Sequence, residues 1–399
     1  MAANELSFEQ VATIMNAVAA KATGADDLTT PTDTASFMSL ATTTLKAGYD
    51  PIMNAISVVL TDTIFSIRPY AAKFRIMTRN ASTYGMHSRK INYMDNPVVD
   101  DPSHDPSALA DGQSVDMYKV RKPKVIQTNY YGENTFADYI TIFQNQIDVA
   151  FRGVDEFRDF IAGVLDNIDS KISQTFEAMN RMCALNLAAG TMAKYGDTET
   201  VQIIHLITEY KAETGNETIT SSNYKSEDEF PYFAKWVVAK IETVSNLLTE
   251  RSIIYHTNFT GANIPRHTPK TLQKALFLSA PLTFMRTNML ADAFNEGDLK
   301  MVDHEMVNYW QSILEPESIN ITPSYVDSDG EVVNAESAVE SDALFGMIFD
   351  AEAAGHTIFN EQMNSTPFNA AGLYTNLWWH YLSRWWNDFS ENCVIFLMD

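Results

Sequence analysis

An α+β fold is the class that this 399-residue sequence predicts. Apolar residues recur with helical spacing from about residue 151 to residue 189, which indicates one long amphipathic helix. Shorter helical and strand-like segments alternate after it, and the chain ends in an aromatic-rich segment that is typical of buried strands. Elements mixed in this order favour an α+β architecture over a doubly wound sheet.

The composition indicates a folded, acidic protein. Hydrophobic residues make up 45% of the chain, which is ample material for a core. The formal net charge of -23 argues against a protein that wraps nucleic acid, because phosphate binding depends on Lys and Arg. The 2 cysteines are too few for a disulfide framework. The first residues lack a secretory signal and no apolar run reaches the length of a membrane span, so we expect folding in a reducing cytoplasm and no membrane partner.

Residues 1–67 predict an N-terminal arm and the entry to the rest of the fold. Helical spacing covers residues 5–22, and Gly24 with a threonine-rich run up to Thr44 interrupts it. A loose terminus is the alternative, because chain ends stay poorly ordered unless other elements hold them. Residues 51–67 fit either a helix or a strand. Both questions stay open at the level of sequence.

The most distinctive stretch is residues 68–131, in which charge is sorted into blocks. A basic run comes first, an acidic run that contains Pro97, Pro102, Pro106 and Gly112 comes next, and a second basic run closes the segment. Proline and glycine set or free backbone angles, so this order predicts a long hairpin with two basic legs and an irregular acidic tip. An ordinary solvated surface loop is the alternative.

A hairpin of this kind has little core of its own, and we predict that it lies on another copy of the protein. Apolar residues such as Phe74, Ile91 and Val125 accompany the charges, which suits strands that pack one face on a surface. Basic legs would be attracted to the acidic surface of a second copy. The predicted inter-subunit contact residues are Arg75, Arg79, Arg89, Lys90, Asp100, Asp101, Lys119, Arg121, Lys122 and Lys124.

Further elements follow the hairpin in order. Residues 125–131 predict a strand, and Gly190 is placed to end the long helix through a left-handed cap. The remaining predictions are strands at 201–207, 274–278 and 321–326 and helices at 232–251 and 282–294. Most of the 6 tryptophans fall in the run LWWHYLSRWWNDF, and CVIFLM follows. Consecutive apolar positions there predict burial on both faces or cover by another subunit.

No residue pattern predicts an enzyme. The chain lacks a glycine-rich phosphate loop followed by lysine and a dinucleotide fingerprint after a strand. Residues 327–331, DSDGE, lack the spacing of a calcium loop and predict a surface turn. His304 and Glu305 open a zinc-protease pattern that fails at Asn308. We therefore predict no catalytic residue, no cofactor and no metal.

The order of segments resembles that of a known family. An N-terminal arm, a long charged hairpin, a long amphipathic helix, a mixed α+β region and an aromatic C-terminal strand pair together resemble the HK97-type major capsid proteins of tailed bacteriophages. Within that group the likeness is greatest to the shell protein of phi-29-like podoviruses. The supporting segments are KVIQTNYYGENTFADYITIFQNQ, FLSAPLTFMRTNMLADAFNEGDLKMVD and ALFGMIFDAEAAGHTIFNEQMNSTPFNAAGLYTNLWWHYLSRWWNDFSENCVIFLMD.

The resemblance implies a subunit built from named parts. These are an N-terminal arm at 1–67, an extended loop at 68–131, a peripheral domain at 132–227 with a spine helix from about Phe151 to Ala189, an axial domain at 228–345, and a return to the peripheral domain at 346–399. Some shells of this family cross-link through a lysine of the extended loop. No lysine lies between Lys90 and Lys119 here, so we expect a shell without covalent cross-links.

The resemblance also implies a function in assembly. The expected protein is a virion component that forms hexamers and pentamers and closes an icosahedral shell around double-stranded DNA, without sequence-specific binding. A scaffolding protein and a portal are the expected partners, and the host bacterial cytoplasm is the expected place of assembly. Two alternatives are an encapsulin-type nanocompartment with the same shell fold and, more distantly, a soluble acidic hydrolase.

Overall fold

The computed structural model describes most of the chain in two compact units. The described residues are 7–25, 28–63, 73–80, 88–94, 109–114, 116–118, 120, 124–130, 132, 134–195, 200–224, 230–259, 264–292 and 303–399. Residues 1–84, 133–183 and 355–385 form the first unit, and residues 85–132, 184–354 and 386–399 form the second. Each unit is therefore assembled from distant parts of the sequence.

The described chain contains both helices and strands, with most of the strands in its C-terminal part. The helices are α1 (Phe8–Thr23), α2 (Thr34–Leu45), α3 (Tyr49–Thr63), α4 (Gln144–Ala150), α5 (Val154–Tyr195), α6 (Leu206–Thr214), α7 (Phe230–Leu247) and α8 (Ser279–Asp292). The strands are β1 (Thr78–Asn80), β2 (Ser88–Met94), β3 (Lys124–Tyr130), β4 (Asn134–Phe143), β5 (Ile203–His205), β6 (Gln273–Leu278), β7 (Glu305–Val307), β8 (Ile319–Ile321), β9 (Ser324–Val326), β10 (Val332–Asn334), β11 (Val339–Ser341), β12 (Leu344–Asp350), β13 (Ala354–Ser365), β14 (Tyr374–Asn387) and β15 (Cys393–Leu397).

Strand pairing confirms the predicted α+β class. A 4-stranded sheet has the order β1-β13-β14-β4, and a 5-stranded sheet has the order β5-β15-β12-β6-β7. Three 2-stranded sheets pair β2 with β3, β8 with β11 and β9 with β10. Antiparallel pairs dominate, and the parallel pairs are β1 with β13, β5 with β15 and β6 with β7. This mixture is not a doubly wound sheet.

The N-terminal helices belong to the core of the first unit. Helix α1 begins at a capping box between Ser7 and Gln10 and ends at Gly24, whose φ of 69° is left-handed. One face of α1 is buried in a cluster that also includes residues of α3, α5 and β14. The alternative of a loose terminus is therefore wrong for residues 8–25 and 28–63. Residues 51–63, left open between helix and strand, are helical.

Gly24 ends the first helix as predicted, but the threonine-rich run that follows contains a second helix, α2. Asp33 caps α2 by accepting a hydrogen bond of 2.8 Å from the Ser36 backbone amide. Phe37 and Ala41 lie one turn apart and are both buried in the core of the first unit. Capping and burial of that apolar pair outweigh the low helix propensity of threonine.

The predicted spine helix is confirmed, but its C-terminal end differs. Helix α5 runs from Val154 to Tyr195 and passes through Gly190. A Cβ atom at Gly190 would lie 2.7 Å from Cζ of Phe389 and 3.1 Å from Cβ of Tyr325. The glycine therefore permits close packing inside the helix, and the predicted left-handed cap is wrong. Sequence cannot separate these two uses of glycine without knowing what packs on the helix.

The second unit contains the most buried strands. Every residue of β12 and of β15 is buried, so the predicted burial of CVIFLM on both faces is confirmed. Strand β14 behaves differently, because Leu377, Trp379 and Tyr381 are buried while Trp378 and His380 are not. Within the subunit this strand presents only one face to the core, so the alternative prediction, cover of the other face by another subunit, stays a prediction for this strand.

Two short strands replace the single strand predicted at 321–326. Pro323 separates β8 from β9, and each strand pairs with a different partner. Proline has no amide donor and so favours a break in the ladder. The predicted surface turn at 327–331 is confirmed, because the Asp327 carboxylate accepts hydrogen bonds from the backbone amides of Asp329 and Glu331.

A buried polar cluster attaches β1 to the spine helix in the first unit. Glu177 accepts a hydrogen bond of 3.1 Å from the Phe74 amide, and the Asn180 amide group donates to the Thr78 hydroxyl at 3.3 Å. His356 lies beside Thr78 and stacks on Trp385 with 4.2 Å between ring centroids. These contacts bind residues 73–80, the described start of the segment predicted as a hairpin, to the spine helix.

Acidification is expected to destabilise the first unit through His356. Burial lowers the pKa of this fully buried side chain from 6.5 to about 4. Between these values the unfolded chain binds the proton more readily, so stability is complete above pH 6.5 and is lost as the pH falls toward 4. The loss is about 3 kcal/mol, which follows from about 1.4 kcal/mol for each pKa unit.

Urea unfolding at about pH 7 and about pH 4 checks this expectation. His356→Phe keeps an aromatic ring against Trp385 but does not titrate, so its stability should fall less than that of the wild type. His380→Gln, at an exposed position on the same sheet, is the control and should keep the wild-type dependence. An equal loss of unfolding free energy between about pH 7 and about pH 4 in His356→Phe and in the wild type would contradict the assignment of the pH dependence to His356.

Candidate assembly interface

Strands β2 and β3 form the stem of the predicted hairpin. They pair antiparallel, with Ser88 opposite Tyr130 and Met94 opposite Lys124. Directly opposite residues of such a pair share a face, and successive residues alternate between faces. The hairpin prediction is confirmed for this stem.

The two faces of the stem have different surroundings. The inner face carries Lys90, Asn92 and Tyr130, which all contact other parts of the second unit. The outer face carries Arg89, Ile91 and Val125, which are exposed. The side chains of Ile91 and Val125 are apolar and yet 43% and 48% exposed. One face of the stem is thus occupied within the chain, while the other is available to a partner.

Lys90 is the centre of the inner face. Its Nζ atom lies 2.9 Å from Oδ2 of Asp388 and 3.1 Å from Oε2 of Glu352, and it also binds Oε1 of Glu391. Asp388 and Glu391 lie in the loop between β14 and β15, whereas Glu352 follows β12. The lysine therefore connects the stem to two separate loops of its own chain.

Further hydrogen bonds complete the inner face. The Tyr130 hydroxyl donates to Oδ2 of Asp388 at 2.6 Å. Arg266 Nη1 lies 3.1 Å from Oδ1 of Asn92 and 3.2 Å from Oε1 of Glu391. The Asp388 carboxylate also accepts hydrogen bonds from the backbone amide and hydroxyl of Ser390. Both strands of the stem are therefore bonded to the same loop.

On the inner face, the opposite charges of Lys90 and Asp388 each stabilise the ionised form of the other side chain. Burial alone would lower the pKa of Lys90, but the carboxylates of Asp388 and Glu391 outweigh it and raise the pKa. Burial would raise the pKa of Asp388, yet the Lys90 ammonium and hydrogen bonds from Ser390 and Tyr130 hold it below its ordinary value. Burial also raises the pKa of Tyr130, which keeps its hydroxyl a donor. At neutral pH the lysine is an ammonium and Asp388 a carboxylate.

The described part of the tip is highly exposed. Residues 109–114 are all exposed, and so are Asp116, Met117, Tyr118 and Val120. Met117 and Tyr118 are 81% and 83% exposed, which is unusual for side chains of this size. A tip with exposed apolar side chains and carboxylates provides a surface for contact with another molecule and contributes little to its own core.

The ten predicted contact residues fall into three groups. Arg89 and Lys90 lie in β2 on opposite faces, and Lys124 begins β3. Arg75 lies in a 3-10 helix (Lys73–Met77) and Arg79 in β1, which pairs with β13, so neither is part of the stem ladder. The remaining five, Asp100, Asp101, Lys119, Arg121 and Lys122, lie outside the described residues. Contact of these residues with a neighbouring copy stays a prediction.

Comparison with known protein families decides what kind of protein this is. The family model described as Phi29-like phage major capsid protein matches residues 15–397. The chain belongs to this family. The match extends over almost the whole sequence, including the hairpin, the spine helix and both sheets. It favours the phage capsid function over the nanocompartment and hydrolase alternatives.

Solved structures show the same fold for this phage capsid protein. A chain from the capsid of Staphylococcus phage Andhra has 10% sequence identity and a TM-score of 0.50, with 84% of this chain and 86% of that chain covered. A chain from the structure of the head fiber and inner core protein gp22 of bacteriophage P68 has 12% identity, a TM-score of 0.50 and the same coverage. A search of curated proteins finds no match. The fold is HK97-like.

Membership of the family makes this capsid protein a structural component of the virion. Within the described residues no helix is both long enough and apolar enough to cross a membrane. In the same part of the chain no group of His, Cys, Asp and Glu could hold a metal ion. Because a capsid protein is a building block of a shell, the surfaces of the subunit are of particular interest.

Sequence reasoning missed the partners of the hairpin stem in this capsid protein. Asp388, Glu391 and Arg266 are far from Lys90 in sequence, and isolated acids or bases carry no local pattern. The one available signal was Tyr130, whose side chain must find a hydrogen-bond partner if it is buried. Nothing in the sequence names Asp388 as that partner.

Proposed function

We propose that this major capsid protein assembles into hexamers and pentamers that close an icosahedral shell around double-stranded DNA, and that the hairpin at 68–131 joins each subunit to a neighbour. The observation that carries the proposal is the exposed tip, where Met117 and Tyr118 are 81% and 83% exposed. Burial of such side chains on a neighbouring copy is favourable by about 25 cal/mol for each Å² of apolar surface. Many equivalent contacts around a ring add to a stable assembly.

The predicted contact residues support attraction between copies. The hairpin segment contributes Arg89, Lys119, Arg121 and Lys122 to a chain whose formal net charge is -23. Basic side chains on one copy would therefore meet acidic surface on the next. The same acidic balance favours walls that repel the phosphates of packaged DNA, without sequence-specific binding.

Other partners and the subunit layout belong to the same proposal. We infer a scaffolding protein and a portal as assembly partners, and the host bacterial cytoplasm as the place of assembly. Residues 132–227 and 346–399 are proposed to form the peripheral domain and residues 228–345 the axial domain, which crowds the centre of each capsomer.

Negative-stain electron microscopy of the purified protein tests the proposal. After size-exclusion chromatography the protein is imaged with and without a candidate scaffold. Closed shells, rings or open tubes would support it, and DNA content of particles from infected cells would establish the cargo. A uniform monomer or dimer under both conditions would overturn it.

A further inference from the structure

The inner face of the hairpin stem is held by a nearly closed ionic cluster. We name this set the latch cluster: Lys90, Arg266, Asp388 and Glu391. It balances two cations with two carboxylates, and the Asp388 side chain is only 2% exposed. Glu352 lies at the rim with 52% of its side chain exposed. The cluster is an intrachain connection, because each of its members belongs to the second unit.

Directional contacts distinguish the latch cluster from ordinary packing. Two apolar faces can shift against each other with little change in free energy. An ammonium group that is bound by several carboxylates loses these directional bonds when the strand that carries it turns. Buried ionic groups add little net stability compared with apolar residues, but in some proteins they select one arrangement among several. Lys90 in β2 and Tyr130 in β3 share Asp388 as acceptor, so the cluster fixes both strands.

The cluster also separates the roles of two adjacent residues. Lys90 points to the inner face and is bound within its own chain, while Arg89 lies on the exposed outer face. Both were predicted from sequence as contacts to a neighbouring copy. The geometry gives only Arg89 a free outward position in the subunit.

We propose that Lys90 is a positioning residue that fixes the direction of the hairpin stem in the free subunit, through its bonds to Asp388 and Glu391. The proposal rests on the proposed function, in which the hairpin joins neighbouring copies. A stem that is already fixed presents its outer face and tip in one direction before a neighbour arrives. The entropy cost of ordering the stem is then not part of association, so subunits bind each other more readily.

Hydrogen exchange in the unassembled full-length subunit tests the latch cluster directly. Lys90→Met keeps an unbranched side chain similar to the aliphatic part of lysine but leaves Asp388 without its cation. Amides of residues 88–94 and 124–130 are then expected to exchange roughly a hundredfold faster. Amides of β12 and β15, which are fully buried, report whether the rest of the second unit stays folded.

A second variant covers the case in which Lys90→Met unfolds the unit. Lys90→Met combined with Asp388→Asn leaves no unpaired buried charge, because Glu391 keeps Arg266 at 3.2 Å. This variant should keep β12 and β15 protected while the stem exchanges faster. Arg89→Met is the matched control on the opposite face and should leave stem exchange in the free subunit unchanged. Wild-type exchange of the stem in the folded double variant would overturn the proposal.

The same experiment separates this proposal from the proposed function. Exchange is measured before assembly, so it reports on the latch cluster whether or not shells form. Faster exchange of the stem amides in the Lys90 variants would show that the latch cluster holds the stem in the free subunit. Microscopy of the same variants then tests its consequence, and we expect fewer closed shells and more irregular ones. Absence of shells in the wild type would contradict the proposed function but not the latch cluster.

Discussion

Deletion of residues 95–116 is expected to abolish closed shells while leaving both units of the subunit folded. Strand β2 ends at Met94 and β3 begins at Lys124, directly opposite, so residues 117–123 can still close the hairpin. Residues 109–114 and Asp116, the described part of the deleted segment, are all exposed. The proposed loss is therefore one of contact between copies.

Two measurements on the deletion variant separate folding from assembly. Circular dichroism and urea unfolding should give wild-type values, because none of the described residues that are removed is buried. Electron microscopy should show no closed shells. A variant that replaces residues 95–116 with a Gly/Ser segment of equal length is the matched control, since it keeps chain length but removes the side chains. Shells of normal form from either variant would show that residues 95–116 do not join subunits.

Local sequence patterns predicted those elements whose secondary structure is determined by residues close together in the sequence. The spine helix and the hairpin stem were predicted from periodicity and from turn residues, which depend on neighbours in sequence. Strand β15 was predicted because CVIFLM is apolar at consecutive positions and so fits only a strand buried on both faces. Each of these signals lies within the element itself.

The errors arise at positions where residues from elsewhere in the chain determine the local structure. Gly190 looked like a helix end, but the ring of Phe389 makes it a site of close approach. Threonines looked like a break, but burial of Phe37 and Ala41 makes their segment a helix. The bonds of Lys90 to Asp388 and Glu391 within the chain were not foreseen, and its contact with a neighbouring copy stays a prediction. In each case the packing or bonding partner is distant in sequence, as Phe157 is from Phe37, and only the fold brings it close.

Substitution of Gly346 by alanine is expected to destabilise the second unit by about 3 kcal/mol. Gly346 lies in β12 between two strands, opposite Phe277 of β6 and Phe396 of β15. An added Cβ atom would lie 2.2 Å from Cδ1 of Phe277 and 2.6 Å from the carbonyl oxygen of Leu276. The ring could turn, but the carbonyl belongs to the backbone of a buried strand and cannot move alone. Urea unfolding of the free subunit measures the change.

Gly163→Ala is the matched control because it makes the same chemical change at an open position. Gly163 lies inside helix α5, and nothing lies within 4 Å of the position that its Cβ would occupy. Alanine has the higher helix propensity, so a gain of about 0.5–1 kcal/mol is expected. A loss of stability in Gly346→Ala and a gain in Gly163→Ala would confirm that steric contact at Gly346, and not the loss of a glycine, causes the destabilisation. Equal effects would contradict the close approach at Gly346.

The Gly346 variant should also loosen the hairpin stem, which connects the core to the surface that assembles. Strand β12 pairs with β15 up to Cys393, and the Asp350 amide donates to the carbonyl of Asn392 at 2.9 Å. A shift of β12 therefore moves the loop that holds Asp388 and Glu391. Faster exchange at 88–94 and 124–130 is expected in Gly346→Ala and not in Gly163→Ala. Unchanged exchange in both would show that the latch cluster holds the stem independently of the sheet beneath it.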